Sequence, residues 1–159
     1  MLIDPAALRW QVINDEVMGG CSNSSFTAED GCLHFRGELS TANGGGFASI
    51  RAELCDPPAA FSGLRLCVSG DGRHYQVRLR ETAHSEAIAW RALFEARAAA
   101  ESVEFMPDDF EAVIRGRRVE TLPGLRHRSV RHLGFMLTSK RPGPFALTVH
   151  QIETVERDA

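Results

Sequence analysis

Lysine is almost missing from this chain: Lys140 is the only one among 18 basic residues, so arginine carries nearly all of the positive charge. The formal net charge is −3, and a chain without a basic excess has no single-sign field to steer it toward nucleic acid. Nucleic-acid binding is not expected. Aromatics are sparse at 8 %, with Tyr75 the only tyrosine and Trp10 and Trp90 the two tryptophans. With 43 % apolar and 25 % charged residues, neither a disordered chain nor a membrane class is favoured, and no bilayer-spanning segment is expected. The start Met1-Leu2-Ile3-Asp4-Pro5 lacks the basic and apolar regions of a secretory signal, so a cytoplasmic location is expected.

Metal and catalytic patterns are missing as well. The cysteines Cys21, Cys32, Cys55 and Cys67 include no CxxC pair and have no histidine at zinc-ligand spacing beside them. In a reducing compartment they are expected as buried thiols instead of disulfides. His34, His74, His84, His127, His132 and His150 show neither HxH nor HExxH spacing, and no serine or cysteine sits in a nucleophile elbow. The run Asn43-Gly44-Gly45-Gly46 lacks the GK[ST] ending of a phosphate loop and leads into a strand, so it reads as a hairpin turn. The expectation is a protein that is not an enzyme and holds no cofactor. Loop carboxylates such as Asp15 or Asp71 leave calcium open.

What is present is strand periodicity. Phe47–Leu54 alternates Ala48, Ile50, Ala52 and Leu54 against Phe47, Ser49, Arg51 and Glu53. Leu64–Val68 and His74–Arg80 follow the same rule, and further strands are expected at Gly31–Glu38, Ala87–Ala96, Ser102–Phe105, Val130–Thr138 and Phe145–Val155. Breaks such as Asp56-Pro57-Pro58, Ser69-Gly70-Asp71-Gly72 and Arg141-Pro142-Gly143-Pro144 carry turn chemistry. The Ala96–Glu101 run is too short for a stable helix and is expected as a turn or hairpin loop. About eight to ten antiparallel strands in an all-β sandwich or jelly roll result. At 159 residues, with no repeat or linker, one domain over 1–159 is expected.

Candidate site residues follow from parity and turn chemistry. Trp10…Asn14-Asp15…Gly19-Gly20 sets an aromatic anchor, an Asn-Asp turn and a glycine pair close together, either as a rigid corner or as a ligand-contacting loop. In His74–Arg80, Tyr75, Val77 and Leu79 point inward, which leaves His74, Gln76, Arg78 and Arg80 on the opposite face. Ser49 and Arg51 have the matching outward parity. These side chains can donate several hydrogen bonds from fixed planes to sugar hydroxyls or to acidic and backbone groups of a protein, or can form an ordinary solvated face. Trp90 shares its parity with Ile88, Ala92 and Phe94, which fits the core better than a cleft. Arg115-Gly116-Arg117-Arg118 reads as a loop whose arginines either contact a ligand or pair with Asp108, Asp109 or Asp15.

The Trp10…Asn14-Asp15…Met18-Gly19-Gly20…Ser22 block is followed by Phe35-Arg36-Gly37 and Asn43-Gly44-Gly45-Gly46-Phe47-Ala48-Ser49-Ile50-Arg51. Then come Gly70-Asp71-Gly72-Arg73-His74-Tyr75…Arg78-Leu79-Arg80, Arg115-Gly116-Arg117, Leu133-Gly134-Phe135-Met136 and Pro142-Gly143-Pro144-Phe145. In order and spacing, from about Leu8 to Val155, the chain resembles the complex I intermediate-associated protein family. The resemblance implies a galactose-binding-like β-sandwich without established catalytic residues, related in shape to certain cellulose- and glucan-binding modules. It also implies a partner among the subunits of respiratory NADH:ubiquinone oxidoreductase. The expected function is therefore a noncatalytic assembly chaperone that holds a protein partner through Asn14, Asp15, Arg51, Gln76, Arg78, Arg80, Trp90, Arg115 and Arg117. A carbohydrate-binding module using the same polar sheet face is the alternative.

Overall fold

The computed structural model describes residues 2–14, 22–42, 46–54, 60–81, 88–114, 117–119 and 129–155. Along the chain the strands are β1 (Leu2–Ile3), β2 (Trp10–Asn14), β3 (Asn23–Glu29), β4 (Cys32–Leu39), β5 (Phe47–Glu53), β6 (Leu64–Gly70) and β7 (His74–Glu81). Then follow β8 (Ile88–Glu95), β9 (Glu101–Phe105), β10 (Glu111–Ile114), β11 (Arg117–Arg118), β12 (Val130–Thr138) and β13 (Gly143–Thr154). They form two antiparallel sheets: a first with six strands, ordered β3-β4-β13-β6-β9 with β1 beside β13, and a second with seven, ordered β11-β10-β8-β7-β12-β5-β2.

Period-two alternation makes each strand apolar on one side, and those sides meet between the sheets. From the second sheet come Ala48, Ile50 and Ala52 of β5, Tyr75, Val77 and Leu79 of β7, and Leu133, Phe135 and Leu137 of β12. From the first come Leu33 and Phe35 of β4, Leu66 and Val68 of β6, and Leu147, Val149 and Ile152 of β13. Burying each large side chain contributes about 1.5–3 kcal/mol. A chain of ring contacts runs through this core from Trp10 to Phe135 at 5.9 Å, Phe94 at 6.3 Å, Phe105 at 6.3 Å, Phe110 at 5.8 Å and Phe61 at 5.6 Å. Tilted and edge-to-face ring pairs add about 0.5–1.5 kcal/mol each. The Trp10 indole N–H donates to the Pro5 carbonyl at 2.9 Å, so its polar end is satisfied inside the core.

The expected strands are all present, with ends shifted by a residue or two, but several connections differ. Asn43–Gly46 cannot close a hairpin, because β4 lies in the first sheet and β5 in the second. Residues 43–45 themselves lie outside the described residues. Residues 96–100 do bend, yet they also carry the chain from the second sheet to the first, not around a hairpin. Arg117 and Arg118 form β11, paired with Val113 and Ile114 of β10, in place of the expected loop. Alternation tells which side of a strand is apolar. It does not tell which sheet the strand joins.

Candidate functional site

Strands β2, β5, β7 and β12 of the second sheet build a cleft on its outer face. Pairing puts Arg51 of β5 opposite Gly134 of β12, and Gly134 opposite Arg78 of β7, so the two arginines flank a glycine in one rung. The next rung holds Ser49, Met136 and Gln76, and the one beyond Gly134 holds Glu53, His132 and Arg80. Gly134 keeps the floor low: a Cβ there would stand 2.8 Å from the Ile50 carbonyl oxygen, too close to accept without moving the backbone. The resulting cavity of about 270 Å³ is lined by Ile13, Phe47, Ser49, Ile50, Arg51, Arg78, Arg80, His132, Gly134, Phe135 and Met136.

A bulge shapes one end of it. The register of β12 against β7 shifts between Val130 and His132, which adds a residue on β12. Val130 and Leu133 both stay in the core, while Arg131 and His132 turn outward. Arg131 then reaches Glu53 at 2.8 Å, and His132 lines the cleft.

The electrostatics within the cleft are uneven. At its sides, Arg91 pairs with Glu111 at 2.7 Å and Arg131 pairs with Glu53. In the middle, among the described residues, neither Arg51 nor Arg78 has a carboxylate partner. Arg78 donates to the Gln76 amide oxygen at 2.8 Å and lies 3.4 Å from the Met136 sulfur. Burial, and then the like charges of Arg80 and Arg91, push the Arg78 guanidinium down to about 10. His132 is held below its ordinary value by burial first and by Arg51 next. The site thus joins excess positive charge to apolar walls, which suits a ligand with an anionic group beside an aliphatic one.

A family profile described as Complex I intermediate-associated protein 30 (CIA30) matches residues 4–149. The chain belongs to this family. That match contains every residue lining the cleft. No curated protein matches the sequence. Among solved structures, this family member is similar to the family 11 carbohydrate-binding module of the cellulosomal cellulase Lic26A-Cel5E of Clostridium thermocellum, with TM-score 0.69, 12 % identity, and 98 % of this chain and 94 % of that chain covered. The family 11 module from the same organism in complex with a β-1,3-1,4-mixed-linked tetrasaccharide gives TM-score 0.66 at 12 % identity, covering 93 % of each chain. A family 29 module, CBM29_1 from Piromyces equi, gives TM-score 0.51 at 8 % identity, covering 92 % of this chain and 89 % of that one. At such identities the likeness shows the fold, a jelly-roll β-sandwich of the galactose-binding-like kind.

Of the residues singled out from the sequence of this CIA30 member, Arg51, Gln76, Arg78 and Arg80 share the outer face of the second sheet. Asn14 does not point into the cleft. It is buried, and its amide oxygen accepts from the Ser24 hydroxyl at 2.9 Å and the Ser49 N–H at 3.3 Å, tying β2 to β3 and β5. Trp90 lies in the core, since its parity on β8 is that of Ala92 and Phe94. Arg117 is exposed at the far edge of the second sheet. The neighbouring Arg118 pairs with Glu111 at 3.4 Å. Asp15 and Arg115 lie outside the described residues.

His132, Gly134 and Met136 are not among the site residues expected from the sequence, although Gly134 and Met136 fall in the Leu133-Gly134-Phe135-Met136 block. Their even parity on Val130–Thr138 was available, but only the register of β12 between β5 and β7 brings them beside the arginines. Asp71, considered for calcium, is occupied: it accepts from the Tyr75 hydroxyl at 2.9 Å, the Arg73 N–H at 2.9 Å and the Ala146 N–H at 2.8 Å. Among the described residues no group of three His, Cys, Asp or Glu side chains could hold a metal ion.

Proposed function

We propose that this protein is a noncatalytic binding module that acts as an assembly chaperone, holding a protein partner against the outer face of the second sheet. The observation that carries this reading is the cleft itself: half-buried Arg51 and Arg78 have no carboxylate partner among the described residues, in a member of a family named for association with a complex I intermediate. Holding such charges without counter-ions costs stability, and the cost is offset when a partner supplies them. The partner is a subunit or subassembly of a respiratory complex, shielded until its native neighbour docks. Affinity capture of the tagged protein from its own host tests this. Respiratory-complex subunits should be recovered by wild type and lost from Arg51→Ala/Arg80→Ala; their absence from the wild-type sample would remove the assembly role.

A second reading, oligosaccharide binding, is favoured by the likeness to carbohydrate-binding modules. Both tryptophans are buried in the core and Tyr75 with them, which leaves Phe47 as the aromatic side chain at the cleft available to stack on a sugar. A glycan array on which wild type gives no signal would eliminate it.

A further inference from the structure

We propose that the occupant of the cleft is an acidic segment of a protein partner, whose carboxylates take Arg51 and Arg78 while an aliphatic side chain beside them packs on Ile13 and Met136. The inference rests on the protein-binding reading above and names the chemistry of that partner. Charge complementarity carries it. The cations at the sides of the cleft, Arg91 and Arg131, are already neutralised by Glu111 and Glu53. The two in the middle are not, although the protein as a whole carries a net charge of −3 and includes 21 acidic residues. Uncompensated positive charge is therefore concentrated on a half-buried part of the sheet.

Geometry narrows the ligand further. Arg51 and Arg78 stand on either side of β12, separated by two strand spacings, or roughly 9.5 Å between their backbones. Gly134 leaves the space between them open, so both guanidiniums can fork onto one carboxylate or take one each. The Gln76 amide oxygen holds the Arg78 guanidinium from one side. The neighbouring rung, with Ile13 opposite Ser49 and Ser49 opposite Met136, offers the apolar strip. A short run of acidic residues interrupted by leucine, isoleucine or valine matches both rungs. An uncharged glucan matches only the hydrogen-bonding capacity and leaves the charge uncompensated.

The test uses labelled oligoglutamate and a mixed glutamate–leucine peptide as probes, with oligogalacturonate as the acidic-sugar alternative, titrated against the full chain by fluorescence polarisation. Wild type should bind both peptides, the mixed one more tightly. Arg51→Gln and Arg78→Gln should each weaken binding about tenfold, the loss expected for one charge-assisted pair. Arg36→Gln, on the exposed outer face of the first sheet, should leave it unchanged. Arg78→Met guards against misfolding, since removing an uncompensated charge should leave the protein at least as stable while binding is lost. Oligogalacturonate bound with the peptides ignored, or peptides bound equally by the arginine variants, would overturn the inference. If host subunits are captured, lost by Met136→Trp but not displaced by oligoglutamate, the inference fails and the protein-binding reading stands. If Met136→Trp captures them as well as wild type does, both fail.

Discussion

On the outer face of the first sheet, Arg65 reaches Glu104 and Glu153, each at 3.2 Å, while on the outer face of the second Arg51 and Arg78 reach no carboxylate among the described residues. Neutral groups are partnered on both faces, as Gln76 is by Thr138 at 3.4 Å on the second. On the first sheet His150 lies between Ser69, 2.8 Å from Nε2, and Cys32, 3.6 Å from Nδ1, and His34 meets Thr148 at 3.1 Å. Those polar side chains find partners across the strands of their own sheet. The second sheet places like charges side by side across an empty rung. Charges that pair within a face contribute to its folding, whereas half-buried charges without a carboxylate partner leave capacity that a ligand could take up, a distinction that composition does not make.

Filling the empty rung should have the largest effect. Gly134→Val would drive its side chain against the Ile50 carbonyl, and we expect a loss of about 2 kcal/mol or more, read as a lower denaturant midpoint. Next in size, Arg78→Met should stabilise the free protein by about 1 kcal/mol, because an uncompensated, half-buried cation is exchanged for a side chain of similar length. Ser69→Ala, on the first sheet, should do the reverse and cost about 1 kcal/mol by removing the partner of His150 Nε2. If the two changes shifted the denaturant midpoint in the same direction, the contrast between the faces would not hold.

The smallest effect concerns pH. The His132 ring faces Arg51, Glu53, Arg80 and Arg131, and burial together with the arginines outweighs Glu53 to lower its pKa. The unfolded chain therefore takes up this proton first, so stability contributed at this position falls as pH drops through about 6.5. His132→Gln should flatten that part of the acid limb in a series of thermal melts, without changing stability above neutrality. An anion seated in the cleft should raise the His132 pKa, visible as a shift of its NMR titration midpoint.

Much of this was legible in the chain. The alternation of His74–Arg80 and Phe47–Leu54 places Ser49, Arg51, Gln76, Arg78 and Arg80 on the outward side without any structure, because a strand's period is a local property. Trp90 was readable in the same way from its apolar neighbours. What was not legible is non-local. Nothing within β5, β7 or β12 says that Gly134 falls between Arg51 and Arg78, since register is set by packing across strands. Strict alternation from Leu133 would also turn Arg131 inward, and only the bulge at 130–132 turns it outward to Glu53. Periodicity does not mark β3, because its sequence Asn23-Ser24-Ser25-Phe26-Thr27-Ala28-Glu29 is largely polar, as an edge strand can be. Asn14 carries a turn signal yet serves as an internal tie, because Ser24 of β3 and Ser49 of β5 both reach it.

The most direct test of the account is an NMR titration of the isotope-labelled protein with the mixed glutamate–leucine peptide. The account predicts shift changes confined to β2, β5, β7 and β12, greatest around Arg51, Gln76, Arg78 and Gly134, and abolished by Arg51→Gln/Arg78→Gln. Shift changes centred on β4, β6 and β13, or none at concentrations that saturate other acidic-peptide binders, would contradict it.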